Sequence, residues 1–252
     1  MGSSFTRRSL LTASLGGALS LGAAARASAG PAPIVLPDGR VYEAYIPAAT
    51  KAGQFFHYTC EFDAAWAVLA TFGFDVPLDV QLAMVGQDLS VEPVYDETAS
   101  GVIIYGGEIG EHYSGDYQSN FLARATGRAM APVFRKHGLS ADPVSDRPAI
   151  EDALRRGALV WAKITVDFKD WMPATWVTPS GLTYPTVLGN DHAAIVIGYN
   201  VDGVVMRDVL GPTDTNWDRP YEYDVPWDRF LQVLAAQNGD GLAVGPLPRS
   251  DT

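Results

Sequence analysis

The alternation of apolar and polar positions divides the chain into a mainly helical first half and a strand-rich second half. Over residues 60–72 (CEFDAAWAVLATF), Phe62, Ala65, Trp66, Leu69 and Phe72 recur at three- and four-residue steps, and Gly73 follows. That spacing predicts an amphipathic helix. A short helix is predicted over 79–85. Another is predicted over 148–156, with Pro148 in the first turn where a missing N–H costs nothing. The run 117–138 reads as a helix bent or broken at Pro132. After Gly157 the helical spacing gives way to strand alternation. LVWAKITV (159–166) reads as a strand, and HAAIVIGY (192–199) and VVMRD (204–208) as the arms of a hairpin. Val201-Asp202-Gly203 would join them, with Gly203 in a left-handed conformation.

A helix over 226–236 and a strand over 241–244 follow, and two further strands are predicted at 41–46 and 102–105. The rest of 87–116 reads as loops. Residues 167–190, with Trp171, Trp176, Tyr184 and three prolines, read as one long loop. Helices and strands so segregated predict an α+β domain, not an alternating parallel α/β one.

Composition then sets the compartment. Residues 1–29 combine Arg7-Arg8, a Gly- and Ala-rich apolar stretch, and Ala27-Ser28-Ala29, a small-residue cleavage pattern. They read as an export signal of the twin-arginine type, too short and too diluted for a membrane span. Residues 30–252 then form a single domain, secreted or periplasmic. The signal holds three arginines and no acid, which leaves 15 basic against 29 acidic residues in the remainder. Such a surface repels phosphate backbones and argues against nucleic-acid partners and anionic membranes. The chain has one cysteine, Cys60. Exported proteins use cysteines in pairs, so a lone thiol is buried, intermolecular or kept for its reactivity. The ligand count also excludes a cysteine-rich zinc site.

Cys60 opens the first predicted helix, where unpaired N–H groups and the macrodipole favour a thiolate. A nucleophile needs a base and a group to orient that base. Among four histidines, His112 and His137 fall in polar segments, His57 lies three residues from Cys60, and His192 opens an apolar strand. Asp208 ends the next strand and suits the orienting role. Gln54 precedes Cys60 by six positions. Its amide, with the backbone N–H of Cys60, can stabilise a tetrahedral oxyanion.

Three segments carry a resemblance. QFFHYTCEFDAAWAVLATFGF, DHAAIVIGYN and VVMRDVLG, in that order, resemble the glutamine–cysteine helix, the histidine strand and the aspartate strand of papain-like cysteine peptidases. They are most similar to stand-alone relatives of the double-glycine leader, or bacteriocin-processing, peptidase family. LRRGALVWAKI (154–164) resembles the helix-Gly-strand unit before the histidine. The resemblance implies a papain-like fold, with Cys60 as nucleophile, His192 as general base, Asp208 as its orienter and Gln54 as oxyanion donor. It implies hydrolysis of a peptide or related amide through a thioester, with a peptide or protein substrate and no cofactor.

Two features depart from that pattern. Glu61 stands where the family has glycine, beside a thiolate it would oppose. A plain hairpin would also pair Asp208 with Val196, about 13 Å along the strand from His192. Contact therefore requires strong twist, a bulge, for which Gly198 is the candidate, or a longer turn. A catalytically silent peptide- or glycan-binding module, motivated by Glu61 and the aromatic 167–190 segment, and a transglutaminase-like acyl transferase are the alternatives. Glu108, Glu111, His112 and Asp116 match no metal-ligand spacing and read as a solvated loop. The run 214–224 reads as a surface loop.

Overall fold

The computed structural model describes residues 32–247, so the export signal read at 1–29 lies outside the described residues. Helix α1 spans Cys60–Thr71, α2 Leu78–Val85, α3 Gly127–Arg135, α4 Arg147–Arg155 and α5 Trp227–Ala236. The main sheet runs Glu222–Pro226, Gly203–Arg207, Asp191–Tyr199, Leu159–Thr165, Gly241–Pro246 and Leu139–Pro143, with every neighbour antiparallel. Ala44–Tyr45 pairs with the far end of Asp191–Tyr199. The chain is therefore α+β, as the periodicity predicts.

Leu159–Thr165, here called the lysine strand, and Asp191–Tyr199, the histidine strand, sit at the centre of this sheet. Alternate residues feed two cores. Leu159, Trp161, Ala193, Ile195 and Ile197 pack with α1 and α3, while Val160, Ala162, Ile164, Ala194 and Val196 pack with α4 and α5. A strand covered on both faces reads as a nearly continuous apolar run. Within such a run the buried charge of Lys163 needs a partner, because ionised groups stay buried only when paired.

Several expectations are corrected. The helix expected over 117–138 forms only as α3 and continues past Pro132. Before it, Asp116 accepts from Gln118 N and Ser119 Oγ, and Asn120 accepts from Leu122 N. These side chains offer the backbone turns that compete with helix. The expected long loop at 167–190 contains two strands, Met172–Val177 and Thr183–Leu188. They pair with each other, and the first runs parallel to Gly101–Tyr105, which in turn pairs with Val94–Thr98. Pro185 is tolerated because Thr183–Leu188 is an edge strand. Ala174 and Trp176 face inward in strand alternation, but the flanking prolines obscure it in the sequence.

Gly203 does not occupy a left-handed conformation. It is needed for close approach, since a Cβ there would fall 2.2 Å from Val225 O. Asn200 shapes the turn instead, accepting from the N–H groups of Asp202 and Gly203. Part of the segment 214–224 is strand, Glu222–Pro226.

Candidate active site

Cys60 is the first residue of α1, and its preceding loop is tied down by the helix itself. Asp63, one turn on, accepts from Phe55 N at 3.0 Å and from Thr59 Oγ1 at 2.7 Å, and Lys51 pairs with the same carboxylate. Asp63 thereby fixes the backbone beside Gln54, a part the sequence reading did not assign. The Gln54 side chain is half-buried and, among the described residues, has no hydrogen-bond partner.

The histidine strand delivers His192 and the adjoining strand delivers Asp208. Register shifts between Val196 and Gly198, so Ile195 faces Arg207 and Val196 faces Met206. A tighter turn, in which Asn200 N donates to Gly203 O, moves Asp208 one position closer to His192, and the bulge moves it one more. His192 Nε2 lies 2.9 Å from Asp208 Oδ1 and 3.0 Å from Oδ2. A carboxylate can only accept, so Nε2 carries the proton and Nδ1 is the ring's free nitrogen.

Behind the pair, Asp208 accepts from Leu210 N and Tyr223 Oη, with Arg219 3.3 Å away. Burial pushes the Asp208 carboxyl up. The adjacent His192 ring with its hydrogen bond, and then Arg219, outweigh burial and hold it at about 2.

One cleft of about 320 Å³ is lined by Gln54, His57, Tyr58, Cys60, Phe121, Asp191, His192 and Leu210 among others. The structure thus brings Gln54, Cys60 and His192 to one cavity with Asp208 behind the ring. His57 lines the same wall but lies away from Asp208's bonds. His112 bonds Val85 O, and His137 bonds Val133 O. Of the acidic cluster read as a solvated loop, Glu108 accepts from Ser180 N, Glu111 faces Arg128 and Asp116 shapes its own turn. No group of three or more potential metal ligands occurs among the described residues.

The state of Cys60 differs from the sequence expectation. Its thiol donates to Glu61 Oε2 at 3.2 Å, and no hydrogen bond joins it to His192 among the described residues. Burial and then the Glu61 carboxylate push the thiol well above its usual range, and the positive Lys163 only partly opposes them. Helix-end stabilisation of a thiolate is outweighed by dehydration, since Cys60 is only 6% exposed.

Glu61 is fully buried. Its Oε1 accepts from Lys163 Nζ at 2.6 Å and from Ala125 N at 3.3 Å, and its backbone oxygen accepts from Trp161 Nε1. Lys163 Nζ also reaches Asp191 Oδ2 at 2.7 Å, and Gln237 donates to Asp191 Oδ1. Burial alone would lower the Lys163 pKa. The flanking Asp191 and Glu61 carboxylates reverse that and keep the ammonium charged.

No protein-family model matches the chain, and no curated protein matches it. A solved structure does. The crystal structure of a protein from Bacillus anthracis described as a C39-like peptidase superposes with a TM-score of 0.61, over 82% of this chain and 98% of that one. The fold is that of a C39-like peptidase. At 15% identity the likeness concerns the fold. It agrees with the papain-like, bacteriocin-processing resemblance carried by the three sequence segments. Within the C39-like fold, Lys163, Asp191, Asp63 and Arg219 are the site-region residues the sequence reading passed over. The signal available for Lys163 was a single charge inside an otherwise apolar strand.

Proposed function

We propose that this protein is a cysteine peptidase or amidase that cleaves a peptide bond through a thioester on Cys60. The observation that carries the reading is one cleft lined by Cys60, Gln54 and His192, with Asp208 bonded to the far nitrogen of the imidazole. In this reading His192 Nδ1 takes the thiol proton and the sulfur attacks the carbonyl carbon. The Gln54 amide and the Cys60 backbone N–H stabilise the oxyanion; the N–H, at the first helical position, lacks an intrahelical partner. His192 then protonates the leaving amine, and water attacks the thioester with His192 again as base. Asp208 keeps the ring oriented and favours its protonated form.

A peptide substrate is supported by the shape around the cleft. It shares Gln54, His57 and Leu210 with a hollow of about 560 Å³, and Phe121 with another of about 430 Å³. Phe56 and Phe121 stand about half exposed along these hollows. An extended chain could lie on both sides of the scissile bond. No helix among the described residues is long and apolar enough to cross a membrane. Residues 1–29 carry the proposal of export, which periplasmic and medium fractionation tests.

The decisive experiment is hydrolysis of fluorescein-labelled casein. Activity should vanish in Cys60→Ala and in His192→Gln. Undiminished cleavage by Cys60→Ala would falsify the mechanism. One observation favours a catalytically silent peptide-binding module: the thiol is bonded to Glu61, not His192. That reading expects no cleavage by the wild type, unaltered casein binding in Cys60→Ala, and an alkylation rate indifferent to His192→Gln.

A further inference from the structure

The cluster next to the nucleophile is built from the residues that flank the two reacting groups. Glu61 follows Cys60 and Asp191 precedes His192, and the ammonium of Lys163 bonds both, at 2.6 and 2.7 Å. Lys163 reaches them because it lies on the neighbouring strand, directly opposite Ala193. All three side chains are buried. Arg124 adds a second positive charge 3.9 Å from Asp191, so two carboxylates face two cations.

Glu61 cannot swing out of the way. Lys163 and the Ala125 N–H hold one of its oxygens, and Trp161 holds its backbone. Only Oε2 is left, and it receives the thiol. The mobile partner is therefore the sulfur, which needs only a turn about its Cα–Cβ bond to leave Glu61.

We infer that Glu61, clamped by Lys163, is a positioning residue that holds the Cys60 thiol by its proton in the resting protein, and that the thiol must turn from Glu61 to His192 before it ionises. This rests on the reading of Cys60 as nucleophile. The step balances simply: the Glu61 hydrogen bond breaks, the S–H proton passes to His192 Nδ1, and the thiolate remains. The glutamate that stands in the family's glycine position is then a latch on the nucleophile and not an obstacle beside it. An occupied cleft favours the turn, because substrate presents its carbonyl on the His192 side.

Other ionisable groups share this environment. Lys163, Asp191 and His192 come from the two central strands, and Arg124 precedes α3. Asp240 follows α5, Tyr113 packs on the Cys60–Glu61 side, and His57 and Tyr58 line the cleft. Substitution of Glu61 leaves these groups in the sequence but removes its charge along with its hydrogen bond, so the alkylation midpoint reads both and the S–H band reads the hydrogen bond itself.

The test follows iodoacetamide alkylation of Cys60 against pH in the wild type, Glu61→Gln and the double variant Glu61→Gln/Lys163→Met. The double variant keeps the net charge of the cluster and leaves Asp191 with Gln237 and Arg124. Glu61→Gln should alkylate about tenfold faster at pH 7, its midpoint lower by about one unit. The double variant, which has lost the opposing cation too, should fall between it and the wild type. The S–H infrared stretch of the wild type, identified by its absence in Cys60→Ala, should shift toward that of a free thiol in Glu61→Gln.

A midpoint at or above the wild-type value in whichever variant folds, or an S–H band unmoved by Glu61→Gln, overturns the inference. Failure of the underlying reading looks different: Cys60→Ala cleaves casein like the wild type, whatever the Glu61 variants do.

Discussion

His192 Nε2 stands between both carboxylate oxygens of Asp208, at 2.9 and 3.0 Å, although the two residues are sixteen apart on neighbouring strands. The contact fixes the tautomer in which Nδ1 can accept a proton. Replacing Asp208 with Asn preserves shape but offers an N–H to one side of the ring. It also removes the charge that favours imidazolium. We expect kcat on labelled casein to fall by about 10²–10⁴-fold with KM little changed. Arg219 keeps a buried carboxylate partner in Asp167 at 2.9 Å, so the variant should fold. Retention of more than half the activity would remove Asp208 from the mechanism.

Gln54 should behave differently. Its side chain has no hydrogen-bond partner among the described residues and lines the cleft beside Cys60. In Gln54→Ala the loss should appear in kcat, by about 10²–10³-fold for one oxyanion donor. The alkylation rate of Cys60 should stay at the wild-type value, because iodoacetamide forms no tetrahedral oxyanion. A parallel fall in alkylation would point to a collapsed loop and not to a lost donor.

The bulge that brings Asp208 toward His192 relies on a glycine. A Cβ at Gly198 would lie 2.6 Å from Ala44 O and 3.1 Å from Tyr45 Cα, both backbone atoms of the strand paired there. Gly198→Ala must push that strand away, and overpacking of this kind costs about 1–3 kcal/mol. Denaturant midpoints should record the loss, and turnover should fall with it because the shift propagates to the register of Asp208. An alanine variant as stable as the wild type would show that the strand yields freely.

The sequence made the central part of this architecture legible for a physical reason. The α1 face and the central strands bury apolar residues at regular periods, and local periodicity reports burial. A departure from the plain hairpin was also foreseeable, since Asp208 and His192 cannot meet in its register; that it takes the form of a tighter turn and a bulge was not. What escaped was governed by local side-chain-to-backbone bonds that compete with helix and by contacts distant in sequence. Asp116 and Asn120 bend the chain where apolar spacing alone implied helix. The strands within 167–190 depend on pairing with Gly101–Tyr105. The thiol's partner was equally hidden. Adjacency placed Glu61 near Cys60, but only Lys163, 102 positions away, explains why the carboxylate points inward.

Asp240 provides a stability test with a defined pH window. It is half-buried and accepts from Gly127 N through both oxygens, at 3.0 and 2.9 Å. Burial raises its pKa to about 6; the Gly127 N–H and Lys163 oppose that only in part. In the unfolded chain the group titrates near 3.8. Between these values the folded protein binds more protons than the unfolded one, so stability falls as pH rises through the window. The favourable contribution is complete below about pH 4 and gone above about 6, a change on the order of 3 kcal/mol. Asp208 works the opposite way and lower down: its stabilisation, present above 3.8, is lost as pH drops through about 2. The two effects therefore occupy separate ranges. Asp240→Asn keeps an acceptor for Gly127 N and cannot ionise. Urea midpoints measured from pH 4 to 7 should decline across pH 4–6 in the wild type and flatten in the variant, which should be the more stable of the two at pH 7. Equal slopes in both proteins would assign the decline to another group.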